Sequence, residues 1–239
     1  MKSLVSLTAV VASLGVSSLS SAAILYTAGT ETGSRYNAQA SAPPPNTPPF
    51  TQANAITFTN CVFTGGNTSA VIERLTFGIR QLAGAPSVDL RFYVGQMNGD
   101  GSLDATSVQD IGTASIGGVA ASATTLVNLT LSTPVKLAMN DLAPSGNAGF
   151  SGFFVGLRFE GANAANNLNG WRITNAPAVG LAFNRFGLYD PTTSAAGFFS
   201  FGTTAPNYMY VNVEGSLIPA PGALALLGVA GLAGSRRRR

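Results

Sequence analysis

Ala70-Val71-Ile72-Glu73-Arg74-Leu75-Thr76-Phe77-Gly78-Ile79-Arg80 is the stretch whose reading decides the fold. Its side chains alternate. Val71, Glu73, Leu75, Phe77 and Ile79 fall on one face, and Ile72, Arg74, Thr76, Gly78 and Arg80 on the other. A period of two is that of a strand with one face buried, because successive Cβ atoms point to opposite sides. The next such stretch, Val88-Asp89-Leu90-Arg91-Phe92-Tyr93-Val94, sends Val88, Leu90, Phe92 and Val94 to one side. Working outward, similar segments occupy residues 24–26, 56–63, 107–116, 125–131, 135–137, 150–160, 170–174, 179–186 and 208–217, punctuated by Gly, Asn, Pro and Ser clusters. Roughly ten strands without a useful helical period predict an all-β, antiparallel β-sandwich of jelly-roll type. No repeat at a fixed period points to a propeller or solenoid.

Composition agrees. Charged residues are 10% of the 239, against about 25% in ordinary soluble domains. The formal charge of +3 misleads, because five of thirteen basic residues, Lys2 and Arg236 to Arg239, lie in the terminal segments. The rest of the chain has eight basic against ten acidic residues, a net of about −2. A nucleic-acid partner is therefore not expected. With one cysteine, Cys61, there is no internal disulfide, and Cys61 reads as a small buried hydrophobe. With no histidine, the commonest general base and metal ligand is missing, which removes Ser-His and Cys-His catalysis.

The ends read differently from the middle. Met1-Lys2-Ser3, an apolar run over 4–16 and a small-residue stretch ending in Ala22 and Ala23 make a signal peptide over residues 1–23, cleaved after Ala22 or Ala23. Its expected partners are the Sec translocon and signal peptidase. At the other end, Pro219-Ala220-Pro221-Gly222 is followed by an apolar span over 223–234 and by Ser235 with Arg236, Arg237, Arg238 and Arg239. That span is shorter than the roughly 20 residues that cross a bilayer comfortably. The arginines would hold its end at the cytoplasmic face as a membrane stop. This combination resembles the PEP-CTERM sorting signal, with Ala220 where that motif has Glu. The resemblance implies export, transient anchoring in the inner membrane, removal of the tail by an exosortase, and an extracellular setting associated with exopolysaccharide. The expected organisation is a signal helix over 1–23, a β-sandwich body over 24–216 and a sorting segment with a short hydrophobic helix over 217–239. Five prolines in 43–49 make an extended loop within 41–50.

Candidate chemistry inside the body is sparse. Asn98, Asp100, Ser102 and Asp104 place oxygens at alternate positions, as a calcium loop does, but Leu103 and Gln109 stand where an EF-hand wants Gly and Glu. A Gly-rich hairpin turn explains the same residues. Trp171 is the single tryptophan; exposed, it would stack on a sugar, with Asn169 among the asparagines of 163–169 as hydrogen-bonding neighbours. In a strand it would instead fill the core. The ten acids are scattered, so no glycosidase pair can be chosen, although Glu73, Asp89 and Glu160 read as solvated-face charges. The leading expectation is a non-catalytic cell-surface or extracellular-matrix protein with no cofactor beyond a conceivable calcium. A carbohydrate-binding module and a secreted carboxylate-dependent glycoside hydrolase are the alternatives.

Overall fold

The computed structural model describes residues 22–36, 55–65, 67–160, 168–200 and 207–219. The signal helix, the Pro-rich loop, the C-terminal hydrophobic helix, Ala220, Pro221, Gly222 and the four arginines lie outside them. Fourteen strands are present among the described residues: β1 (Ala23–Thr27), β2 (Glu31–Tyr36), β3 (Ile56–Thr64), β4 (Asn67–Gln81), β5 (Val88–Gln96), β6 (Gln109–Ile116), β7 (Ala123–Ala138), β8 (Asp141–Leu142), β9 (Asn147–Glu160), β10 (Asn169–Thr174), β11 (Arg185–Asp190), β12 (Ala195–Ser200), β13 (Tyr208–Met209) and β14 (Val211–Pro219). Two 3₁₀ turns, Ala105–Ser107 and Ala143–Ser145, are the remaining regular elements. Among the described residues no helix is long and apolar enough to cross a membrane.

The strands form two antiparallel seven-stranded sheets. The first contains the order β1-β14-β4-β7, extended by β10, β13 and β2. The second contains β3-β9-β5-β6, extended by β11, β12 and β8. The chain switches sheets at most connections, so sequential strands seldom pair outside the β5–β6 and β11–β12 hairpins. Strands β10 to β12 make an excursion between β9 and β14.

Apolar faces hold the two sheets together. Phe77 of β4 meets Phe92 of β5 with ring centroids 4.5 Å apart. Tyr36 of β2 meets Phe186 of β11 at the same separation. Each large side chain buried in this way contributes roughly 1.5–3 kcal/mol. A second apolar cluster, including Phe58, Tyr93, Phe154 and Tyr189, lies on the other side of the second sheet. This is why β3 is buried on both faces, from Ile56 to Phe63, and does not alternate. Cys61 is fully buried in the inter-sheet core.

Several expectations need correction. The alternation over 70–80 slips at Glu73. Ile72 pairs with Gly215 and Arg74 with Glu214, so Glu73 is one residue too many for the ladder. This bulge turns Ile72 inward along with Leu75, Phe77 and Ile79, all fully buried, while Val71 is only half-buried. The expected strand over 179–186 reduces to single bridges, Thr27 to Val179 and Leu181 to Val62, before β11 begins at Arg185. Segments 125–131 and 135–137 are one strand, β7. β2, β8 and β12 were not legible. β14 runs to Pro219, which pairs with Asn67, so the body extends beyond residue 216 and the first motif proline belongs to the sheet. Ala23 is already the first residue of β1, opposite Gly215.

Candidate carbohydrate-facing surface

Trp171 and Asn169 sit in the interior. Trp171 is fully buried, tilted against Phe77 at 5.6 Å, and its Nε1 donates to the Tyr210 carbonyl at 2.7 Å. Asn169 is also fully buried, and its Nδ2 donates to the Pro86 carbonyl at 3.1 Å. A ring packed between sheets cannot stack on a sugar, so the proposed carbohydrate contact at these two residues is corrected to a core role. Residues 161–167, with Asn163, Asn166 and Asn167, lie outside the described residues.

The loop at 98–104 is a turn joining Met97 to Leu103. Its side chains serve its own backbone. Asp100 accepts from the Ser102 amide at 2.8 Å, and Asp104 accepts from the Thr106 amide at 3.0 Å. Asn98 donates through Nδ2 to Ser102 Oγ at 2.9 Å. The cation seated here is Arg185, whose guanidinium donates to the Gly101 carbonyl at 2.8 Å and lies near the Phe183 and Phe198 rings. Among the described residues no group of three or more His, Cys, Asp or Glu side chains is placed to hold a metal ion. The alternating oxygens of the loop hold its hairpin turn through bonds within the loop.

The outer face of the first sheet carries the most organised surface chemistry. The β4 residues Arg74, Thr76, Gly78 and Arg80 form its central column. Register places Glu214 beside Arg74, Asn128 and Asn212 beside Thr76, Leu126 beside Gly78, and Gly170 beside Arg80. On β10, Arg172 lies opposite Arg35 of β2. Glycines admit the large groups. A Cβ on Gly78 would stand 2.7 Å from the Tyr210 ring, and one on Gly170 would stand 2.9 Å from Arg35 Cγ. The result is a strip in which Leu126, half exposed, and Tyr210 flank Gly78, with Arg80 on one side and Thr76, Asn128, Asn212 and the Arg74–Glu214 pair on the other. Thr76 Oγ1 donates to Asn128 Oδ1 at 2.8 Å. Arg74 pairs with Glu214, and Arg172 with Glu31. The Arg172 guanidinium lies 5.0 Å from the Tyr210 ring centroid. Burial, and then the like charge of Arg80, push the Arg35 guanidinium below its ordinary value. Sequence alternation had placed Arg74, Thr76, Gly78 and Arg80 on one face; what it could not show was which strands would lie beside them.

The second sheet carries an opposite-signed patch. Asp89, Arg91 and Tyr93 of β5 oppose Glu160, Arg158 and Gly156 of β9. A register shift between Phe92 and Tyr93 brings Asp110 opposite Tyr93, so Asp110 joins Thr113 and Ser115 on the outer side. Arg91 pairs with Asp110 at 2.9 Å and reaches Glu160 at 3.8 Å. Asp110 and Glu160 therefore lie within roughly 10 Å of each other, inside the span glycosidase pairs use. Both are nevertheless ion-paired and open to water, Glu160 beside a shallow hollow of about 390 Å³. A general acid instead needs a carboxyl shielded from water and from cations. Asp89 and Glu160 face solvent, as the sequence pattern implied.

No protein-family model matches the chain. No curated protein matches it. Among solved structures, one similar chain is the crystal structure of the cysteine protease and lectin-like domains of Cwp84, a surface layer associated protein of Clostridium difficile, at 8% identity and a TM-score of 0.40. That match covers 70% of this chain and 32% of the other, so this chain spans about a third of the length of that structure. A score this low leaves fold and function to be argued from the residues themselves.

Proposed function

We propose that this chain is an exported, exosortase-processed, non-catalytic cell-surface or matrix protein associated with exopolysaccharide, built on a jelly-roll-like sandwich. The observation that carries the reading is the pairing of β1 with β14. Ala23, at the signal-cleavage point, lies opposite Gly215, and the chain leaves β14 four residues later at Pro219. The start of β1 and the end of β14 therefore belong to two paired strands of one sheet, and the inter-sheet core draws on described residues from Leu25 to Leu217. Cleavage before Ala23 and beyond Pro219 would leave the core contacts among the described residues in place. The order β1-β14-β4-β7 over β3-β9-β5-β6, with the chain alternating between sheets, supports the jelly-roll reading. Intact-mass analysis of the native secreted protein is the test. The expected product begins at Ala23 or Ile24 and lacks the span over 223–234; a mature product retaining residues 223–239 refutes exosortase removal.

The second reading, a carbohydrate-binding module, is favoured by the outer face of the first sheet. A flat strip with an aromatic ring, flanked by amides, hydroxyls and guanidiniums, offers stacking and hydrogen bonds to sugars. In this reading the contacts are Tyr210, Leu126, Asn128 and Asn212, in place of Trp171 and Asn169.

A further inference from the structure

We infer that this chain pairs with a second copy of itself through the open edge of β7, antiparallel about a two-fold axis at Asn128, so that the first sheets of the two copies join into one. The inference stands apart from the sorting and carbohydrate readings.

β7 pairs with β4 on one side, and no strand among the described residues pairs with its other side. It is 16 residues long, and its ladder with β4 runs without a shift from Ala123 to Thr130. An edge strand presents a row of unpaired N–H and C=O groups, and folded proteins blunt such rows with charge, Pro, bulges or short length. The other margins of the two sheets are blunted in this way. β1 and β2 have five and six residues, each with a register shift. β6 carries Asp110 and a shift beside it. β12 has six residues, and β8 and β13 have two each. On β7, Pro134, Lys136 and the bulge all lie toward the far end, and residues 123–131 contain no charge, Pro or Gly.

The side chains choose the occupant. Register with Ile79, Phe77 and Leu75 turns Thr125, Val127 and Leu129 toward the inter-sheet core, and Leu131 packs against that core as well. Leu129, Leu131 and Val135 are only partly covered, as are Ile111 and Ala114 across the seam on β6. A hollow of about 310 Å³ opens along this seam, lined in part by Ile111, Leu131 and Val135. Core side chains left half open beside an unpaired edge call for a strand that brings apolar residues of its own. β7 of a second copy does so. With the axis at Asn128, Val127 meets Leu129 of the second copy and Thr125 meets its Leu131. No other axis sets these four inward residues opposite one another. On the outer side Leu126 meets Thr130, Thr124 meets Ser132, and Asn128 meets its own equivalent. Asn128 Oδ1 accepts from Thr76 Oγ1, which leaves its Nδ2 to donate to the opposite amide, and the reverse. No charge faces a like charge in this register. An unrelated extended segment would make the same backbone bonds without this reciprocity.

The test follows the mature exported protein by sedimentation velocity from about 1 µM to about 1 mM. The interface is small, so a reversible monomer–dimer equilibrium is expected within that range, with Kd about 10–100 µM. Asn128→Lys sets like charges on the axis and should weaken the dimer about tenfold or more, with an unchanged melting curve. Asn128→Cys should form a disulfide between copies under mild oxidation, because residues directly opposite in an antiparallel pair hold their Cβ atoms about 4.5–5.5 Å apart. Cys61 is fully buried and does not compete. Ser132→Cys should not cross-link, whereas the Thr124→Cys/Ser132→Cys double variant should. If the Lys variant is destabilised, the cross-linking variants decide alone. A protein that stays monomeric throughout the range overturns the proposal, even where a synthetic peptide copying residues 123–133 binds to it. A dimer indifferent to Asn128→Lys, or one cross-linked by Ser132→Cys and not by Asn128→Cys, overturns it as well.

Discussion

Replacing Trp171 by Ala separates a core tryptophan from a sugar-binding one. The indole is fully buried and packs on Phe77, which in turn packs on Phe92 of the other sheet. Truncation leaves a cavity at the contact between sheets, and large aromatic-to-Ala changes in such places cost about 3–5 kcal/mol. The Nε1 hydrogen bond adds little. Its acceptor, the Tyr210 carbonyl, also accepts from the Gly78 amide at 3.3 Å, so no buried group is orphaned. For a domain of this size the cost corresponds to a fall in Tm of about 6–20 °C. Trp171→Phe keeps most of the packing and should cost about 1–2 kcal/mol. The assay is thermal unfolding followed by far-UV circular dichroism, because Trp171 is the sole tryptophan and its replacement removes the fluorescence signal. In the wild type, that same tryptophan should emit at short wavelength when folded and shift to the red on unfolding. A Trp171→Ala variant that melts within 2 °C or so of the wild type while losing glycan binding would refute the buried placement and restore the stacking role.

Tyr26 is fully buried with no hydrogen-bond partner for its hydroxyl among the described residues, so Tyr26→Phe should stabilise the protein by about 1 kcal/mol in urea unfolding. Burial first, then the neighbouring Cys61 and Tyr208, push the Tyr26 phenol up, and burial pushes the Cys61 thiol up. The folded state therefore favours their neutral forms. Their stabilisation is complete below the unfolded values, near 8.5 for Cys and 10 for Tyr, and is lost as pH rises above them. Tm should hold steady from about pH 6 to 8 and fall above about pH 9, less steeply in Tyr26→Phe. Gly215→Ala places a Cβ 1.9 Å from the Val71 carbonyl oxygen at the Glu73 bulge and should cost about 3 kcal/mol or more, read as a lower urea midpoint. Asp104→Ala removes the cap of the Ala105–Ser107 turn and should cost about 1 kcal/mol, whereas adding a chelator to the wild type should leave Tm unchanged; a chelator-induced fall would restore the calcium reading.

The sequence by itself determined the class of fold, because period-two alternation over 75–80 and 88–94 can be satisfied only by strands with one buried face. It also marked the charge contrast between the ends and the middle, and it set Arg74, Thr76, Gly78 and Arg80 on one face. The tertiary structure alone decided the rest. Glu73 shifts the alternation because β14 has no residue to oppose it between Glu214 and Gly215, while β7 bulges by four residues, 131–134, over the same interval, and nothing local in 70–74 reports what lies across the ladder. β3 lost its alternation because a second apolar cluster covers the outer face of its sheet. Trp171 went inside because β10 lies beside β4 and under the second sheet, and the same pairing set Arg172, itself buried, on the other face of β10 opposite Arg35. Position along a strand gives the parity of a side chain. Which residues become its neighbours depends on pairings between segments more than a hundred residues apart, and those are set by the closure of the whole sandwich.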